Sequence, residues 1–91
     1  MNYNWNDKDK LIYIIRMKIL ITGGAGFIGS NLCEYFIAQG KQVVCLDNFV
    51  TGHKHNLNLI IDNPNFKLIE GDIRDLHTCH QACIGVDYVL H

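Results

Sequence analysis

The sequence predicts an α/β fold, the N-terminal half of a doubly wound parallel sheet with about four strands and covering helices. Three observations carry that reading. Short apolar runs, clearest at Ile19-Leu20-Ile21 and Val43-Val44-Cys45-Leu46, lack polar alternation, as strands covered on both faces do. A segment of helical period lies between them, and a glycine string, Gly23-Gly24-Ala25-Gly26-Phe27-Ile28-Gly29, joins the first strand to that helix. An acid, Asp47, closes the second strand.

The N-terminal stretch is set apart. Met1 to Lys10 is polar, rich in asparagine and charge, and without period, while Met17 directly precedes the first strand. Translation is therefore expected to start natively at Met17, with residues 1–16 outside the domain and residues 17–91 forming it. The rival reading gives Leu11-Ile12-Tyr13-Ile14-Ile15 a strand or helix of its own, on its β-branched content.

From Phe27 to Gln39 the spacing of Ile28, Leu32, Tyr35 and Phe36 predicts a helix with one apolar face, stopped by Gly40. After Asp47, Asn48 to Asn56 has no hydrophobic period and reads as a loop, lying where ligands sit in such sheets. Asn58 to Asp62 reads as a short helix stopped at Asn63-Pro64, because a residue before proline avoids the helical region. Phe66 to Glu70 is the third strand and Gly71 to Arg74 its turn. Asp75 is the N-cap of a helix over Leu76 to Ile84, Gly85 ends it, and Val86 to Leu90 is the fourth strand.

The glycine string fits two frames: Gly24, Gly26 and Gly29 make G-x-G-x-x-G, and Gly23, Gly26 and Gly29 make a wider G-x-x-G-x-x-G. A lone match would say little. Here a strand precedes it, a helix follows, and Asp47 stands 18 residues beyond Gly29, near the spacing of the acid that accepts from ribose hydroxyls. Glycines permit the tight turn and the close approach of backbone to pyrophosphate, and the positive end of the helix favours an anion without a lysine. This is the pattern of a dinucleotide-binding βαβ unit.

The run Thr22 to Gly29, Thr-Gly-Gly-Ala-Gly-Phe-Ile-Gly, resembles the opening of an extended short-chain dehydrogenase/reductase of the NAD-dependent epimerase/dehydratase family, which favours the wider frame. Leu46-Asp47-Asn48-Phe49 with Thr51-Gly52 is similar to that family's second strand and cofactor loop, and Gly71-Asp72-Ile73-Arg74-Asp75 further on also resembles the family. Within the family the UDP-N-acetylglucosamine 4-epimerase branch is most similar, through Asn48-Phe49-x-Thr51-Gly52-His53 with His55-Asn56-Leu57 after it. The resemblance covers Met17 to His91.

What the resemblance implies is a Rossmann domain with NAD as cofactor, held by Gly23, Gly26, Phe27, Ile28 and Gly29, by Asp47, Asn48, Phe49, Thr51 and Gly52, and by Asp72 and Ile73. Asp72 would accept from the adenine amino group, with Ile73 packing on the ring. For the complete protein it implies a nucleotide-sugar substrate, transient oxidation at the sugar 4-position, a homodimer and a cytoplasmic location. Catalysis in such enzymes rests on a Ser or Thr and on a Tyr with a Lys four positions on. Here Tyr3, Tyr13 and Tyr35 are followed at that position by Asp7, Met17 and Gln39, and Tyr88 lies too near the end. No catalytic residue is assigned, and the chain is expected to be an inactive N-terminal fragment carrying most of one half of the cofactor site. The rival readings are a non-catalytic dinucleotide-binding module or relic, and the N-terminal part of a dehydratase or decarboxylase.

Composition narrows the partners. Hydrophobic residues at 48% and charged residues at 19% fit a globular domain, and a net charge of −1 offers no basic footprint for nucleic acid or an anionic membrane. Leu11 to Ile15 is far short of the ~20 apolar residues of a membrane span. Cys33 and Cys45 suit buried positions. Cys79 and Cys83 share a helix face from which His80 points away, so reduced thiols rather than a metal site are expected. His53, Lys54 and His55 are expected to form a solvated loop face.

Overall fold

In the computed structural model, which describes residues 6–8 and 17–91, the apolar runs form one sheet. Leu11 to Ile15 and most of Met1 to Lys10, with the expectations attached to them, lie outside the described residues. The order is β1 (Lys18–Thr22), α1 (Phe27–Ala38), β2 (Gln42–Asp47), a 3-10 helix (Lys54–Leu57), β3 (Phe66–Glu70), α2 (Leu76–Ala82) and β4 (Tyr88–Leu90). The four strands lie in the order β3-β2-β1-β4 and every pairing is parallel: Leu20 stands opposite Val44 and Val89, and Cys45 opposite Leu68.

Alternation along each strand sends successive side chains to opposite faces, and both faces are covered. One face gathers Ile19, Ile21, Val43, Cys45 and Phe66 with Cys33 of α1 and with Leu57 and Ile60. The other gathers Leu20, Val44 and Leu46 with Ala82 of α2. This is the predicted half of a doubly wound sheet.

The buried face of α1 keeps Phe36 of the expected face but not Ile28, Leu32 or Tyr35. Ser30 and Cys33 are its buried residues, with Phe36 and Ile37 packed against the core, whereas Ile28 is 76% and Tyr35 57% exposed. The cause is the closeness of helix to strand. A Cβ on Gly29 would lie 2.3 Å from the Gly23 carbonyl oxygen, and one on Gly24 would lie 2.5 Å from Cys45 Sγ and 3.1 Å from Cys33 Sγ. At that separation the first turns of the helix can face the sheet only with small side chains. The larger Ile28, Leu32 and Tyr35 are turned outward.

Three boundaries also move. Asn58 to Asp62 forms turns rather than a helix, and the ordered piece is the 3-10 helix just before it, inside the expected loop. Leu57 is its buried residue and Ile60, in the turns that follow, is buried as well; the amides of Ile60 and Ile61 both donate to the Leu57 carbonyl. Anchors three residues apart suit the tighter 3-10 geometry, and the surrounding asparagines compete for backbone hydrogen bonds. Helix α2 ends at Ala82, because its last bonds tighten toward Gly85 at φ 70°, with Val86 N–H donating to the Cys83 carbonyl. Strand β4 begins at Tyr88, since Val86 first packs inward against the second core cluster. The Asp75 cap forms as predicted, Oδ1 accepting from the amides of His77 and Thr78.

Candidate cofactor site

The chain runs from β1 outward through β2 to β3 and then returns to the other side of β1 for β4. The reversal opens a crevice at the carboxyl ends of β1 and β4, the place where open parallel sheets take their ligands. A groove of about 230 Å³ lies there, lined among others by Thr22, Gly23, Ile28, Gly29, Leu90 and His91. Thr22 Oγ1 lies 2.5 Å from His91 Nδ1 on its wall. A groove of about 240 Å³ between Lys18 and Lys67 is at the opposite, amino end of the strands.

The glycine turn is built from the strand ladder. Gly23 N–H donates to the Leu46 carbonyl at 2.8 Å, Gly23 then takes φ 69°, and Gly26 N–H donates back to the Gly23 carbonyl at 3.1 Å. Gly26 is the N-cap of α1, with no side chain capping the helix and no acid in its first turn. Phe27 and Ile28, 80% and 76% exposed, open that turn to solvent, leaving the positive helix end for an anion. The glycines differ in what they explain. Gly29 is required by its contact with the turn, but Gly26 has ordinary extended angles (φ −74°, ψ 173°), and a Cβ there would meet nothing closer than the Gly23 oxygen at 3.4 Å. The fold itself does not need a glycine at 26.

Asp47 is 7% exposed at the end of β2. Its Oδ2 accepts from Ala25 N–H at 2.9 Å, and its Oδ1 accepts from Phe49 N–H at 2.7 Å. The carboxylate thus ties the glycine turn to the loop after β2. Each oxygen retains a further acceptor position, enough for a ribose hydroxyl.

In that loop Asn48 Oδ1 accepts from Val50 N–H, and Phe49 sits at φ 60°, a left-handed conformation rare for a bulky residue. It is held by the Asp47 bond, by packing of its ring on the core and by Lys54 Nζ, 5.5 Å from the ring centroid. Thr51 is exposed, whereas Gly52 is buried so tightly that a Cβ would lie 2.9 Å from Asp47 Oδ2. His53, Lys54 and His55 are exposed, the two imidazoles stacked at 5.2 Å and Lys54 3.5 Å from Glu70.

Asp72 and Ile73 follow β3, the neighbour of β2, on the same carboxyl-end side of the sheet. Asp72 is bound by its own neighbour: Arg74 donates from Nε and Nη2 to the carboxylate, whose pKa those bonds hold at about 2. Ile73 is 47% exposed. The structure therefore brings the glycine turn, Asp47 and Gly52 into one contact, with Asn48, Phe49 and Thr51 in the flanking loop. Asp72 and Ile73 stand apart, after the neighbouring strand.

Two participants escape the sequence reading. Ala25 is wholly buried, and its carbonyl accepts from His53 N–H at 3.1 Å and from Asn56 Nδ2 at 2.8 Å. No spacing rule joins positions 25 and 56. The one available signal was the placement of Asn56 in the His55-Asn56-Leu57 stretch that carried the resemblance.

Comparison with known proteins agrees with the fold. The model of the NAD dependent epimerase/dehydratase family matches residues 19–91. UDP-glucuronic acid decarboxylase 1 of Arabidopsis thaliana is 48% identical over 76 residues, which are 84% of this chain but 16% of that protein. Among solved structures, dTDP-glucose 4,6-dehydratase from Bacillus anthracis in complex with NAD superposes with a TM-score of 0.76 at 31% identity, over 80% of this chain and 25% of that one. The Bordetella bronchiseptica enzyme WbmH in complex with NAD+ gives 0.75 at 37% identity, over 84% and 25%. UDP-glucose 4-epimerase from Thermotoga maritima, with UDP-glucose, gives 0.70 at 36%, over 80% and 23%. The chain thus spans about a sixth of the length of the decarboxylase.

Proposed function

The chain belongs to the NAD-dependent epimerase/dehydratase family, and from that premise we propose that residues 17–91 are the N-terminal part of an NAD-binding domain of an enzyme acting on a nucleotide sugar. The observation that carries the proposal is Gly26: a glycine the fold does not need, at an uncapped helix end, beside a buried acid. Bound NAD supplies a hydride acceptor. The chain's own residues hold it. The first turn of α1 takes the diphosphate, Asp47 accepts from the adenosine ribose, and Asp72 and Ile73 take the edge and face of the adenine. A carboxylate at position 47 would repel a 2′-phosphate, so NAD is preferred over NADP.

For the complete enzyme we favour a UDP-N-acetylglucosamine 4-epimerase, which oxidises the sugar at its 4-position and returns the hydride to the opposite face. The support is the Asn48-Phe49-x-Thr51-Gly52-His53 stretch, and the same resemblance supports a cytoplasmic homodimer. A second reading, a UDP-glucuronic acid decarboxylase, is favoured by the 48% identity to the Arabidopsis protein. Calorimetric titration of this chain with NAD and with NADP tests the cofactor proposal. Saturable binding of NAD, weaker for NADP, is expected, and tighter binding of NADP would overturn it. Assay of an enzyme carrying this domain with UDP-N-acetylglucosamine and with UDP-glucuronic acid separates the two readings.

A further inference from the structure

The two peptide units that flank Ala25 lie at the centre of the glycine turn and are gripped from every side. Ala25 N–H donates to Asp47 Oδ2 at 2.9 Å, and Gly26 N–H donates to the Gly23 carbonyl at 3.1 Å. The Ala25 carbonyl has both acceptor positions filled, by His53 N–H and by Asn56 Nδ2 at 2.8 Å. Three of these partners are the Asp47 side chain at the end of β2, the Gly23 carbonyl within the turn itself, and the His53 backbone entering the 3-10 helix. Asn56, like Asp47, reaches the turn with a side chain, and it does so across 31 residues of sequence. Around them the packing has no slack, since a Cβ on Gly52 would lie 2.9 Å from the Ala25 carbonyl carbon.

Since a peptide unit is planar, fixing its oxygen also fixes the direction of the N–H on its other side and the path of the chain beyond it. We propose that Asn56 is a positioning residue for the cofactor turn: its amide holds the Ala25 carbonyl so that the first-turn N–H groups of α1 face the diphosphate, coupling the ribose-side loop to the anion site. Asn56 itself touches no part of the cofactor. The inference rests on the proposed NAD site for its functional half, and on the hydrogen bonds alone for its structural half.

Two substitutions test it in the full 91-residue chain. Asn56→Asp keeps the shape and removes the donor, and Asn56→Ala removes both. The titratable groups near a new carboxylate are Asp47 across the Ala25 peptide and Lys54, His53 and His55 on its own segment, so the titrations are run at neutral pH and repeated in high salt. Amide exchange is followed at Ala25 and His53, relative to Val44 in the central strand. Both variants should raise exchange at Ala25 and His53 about tenfold with Val44 unchanged, and weaken NAD about tenfold, as loss of one hydrogen bond to a buried carbonyl predicts. Equal rise at Val44 would mark a whole-domain role and overturn the proposal. So would wild-type behaviour of Asn56→Asp beside a defective Asn56→Ala, which would assign the residue to filling space. Opened amides with unchanged NAD affinity would overturn the coupling. If the unsubstituted chain shows no NAD binding while the variants still open Ala25 and His53, the cofactor reading fails and the positioning role stands.

Discussion

Replacing Gly29 and Gly26 each by alanine separates a glycine needed for packing from a glycine needed for a ligand. A Cβ at 29 would lie 2.3 Å from the Gly23 oxygen, 2.7 Å from Gly24 Cα and 3.0 Å from the Gly23 carbonyl carbon, all backbone atoms. Restoring ordinary contact means moving the turn by about 1 Å. Overpacking of this kind costs ~1–3 kcal/mol, and backbone on every side places it at the upper end. Alanine returns ~1 kcal/mol of helix propensity, which leaves about 2 kcal/mol of net loss. In a domain this small that lowers Tm by roughly 8–16 °C. At position 26 the angles suit alanine and the nearest atom is 3.4 Å away, so Gly26→Ala loses only the N-cap preference, ~0.5–1 kcal/mol, or a few degrees of Tm. Its NAD affinity should nevertheless fall at least tenfold, because the methyl group stands between backbone and diphosphate. Thermal unfolding by circular dichroism and calorimetric titration with NAD read the two effects. A Gly29→Ala protein melting with the unsubstituted chain, or a Gly26→Ala protein binding NAD normally, would refute the assignment.

Asp47→Asn turns one carboxylate oxygen into a donor facing a backbone N–H, either Ala25 or Phe49; it should cost ~1–3 kcal/mol in denaturant titrations and narrow the preference for NAD over NADP. Asp75→Ala removes the cap of α2, worth about 1 kcal/mol, and its effect should appear as a lower urea midpoint with unchanged NAD affinity. The Asp72 carboxyl, held at about 2 by hydrogen bonds and charge from Arg74, keeps its stabilising contribution above the ordinary carboxylate pKa and loses it as pH falls toward 2. A carbon-detected titration should show that midpoint, and Arg74→Ala should raise it only part of the way toward the ordinary carboxylate value, because the backbone N–H of residue 74 still donates to Asp72 Oδ1. Thiol labelling should mark Cys83 first, while Cys33 and Cys45 stay protected until the domain unfolds, the Cys45 thiol pushed far up by its hydrogen bond with Cys33 and by burial.

Much of this molecule was readable along the chain because its signals are local. Strands β1, β2 and β3 appear as apolar runs, and β3 from Phe66 to Glu70 was placed to the residue. The Asp75 cap and the stop after Gln39 follow from side-chain chemistry within a few positions. The glycine string, read with the strand before it and the acid beyond it, pointed to a dinucleotide before any coordinates. What the chain alone determined, then, was the order of elements and the place of the turn.

Only the tertiary structure decided which face of α1 is buried. Hydrophobicity favoured Ile28, Leu32, Tyr35 and Phe36; Phe36 does pack on the core, but the approach forced by Gly24 and Gly29 gives the sheet side of the first turns to Ser30 and Cys33, because distance between backbones, not side-chain hydrophobicity, limits what fits there. The tie of Asn56 to Ala25, and the part of Asp47 in joining two loops, likewise depend on positions distant in sequence that meet only when β1 and β2 pair. A periodicity records which way a residue points along its own element. It carries no record of how near the neighbouring element will come.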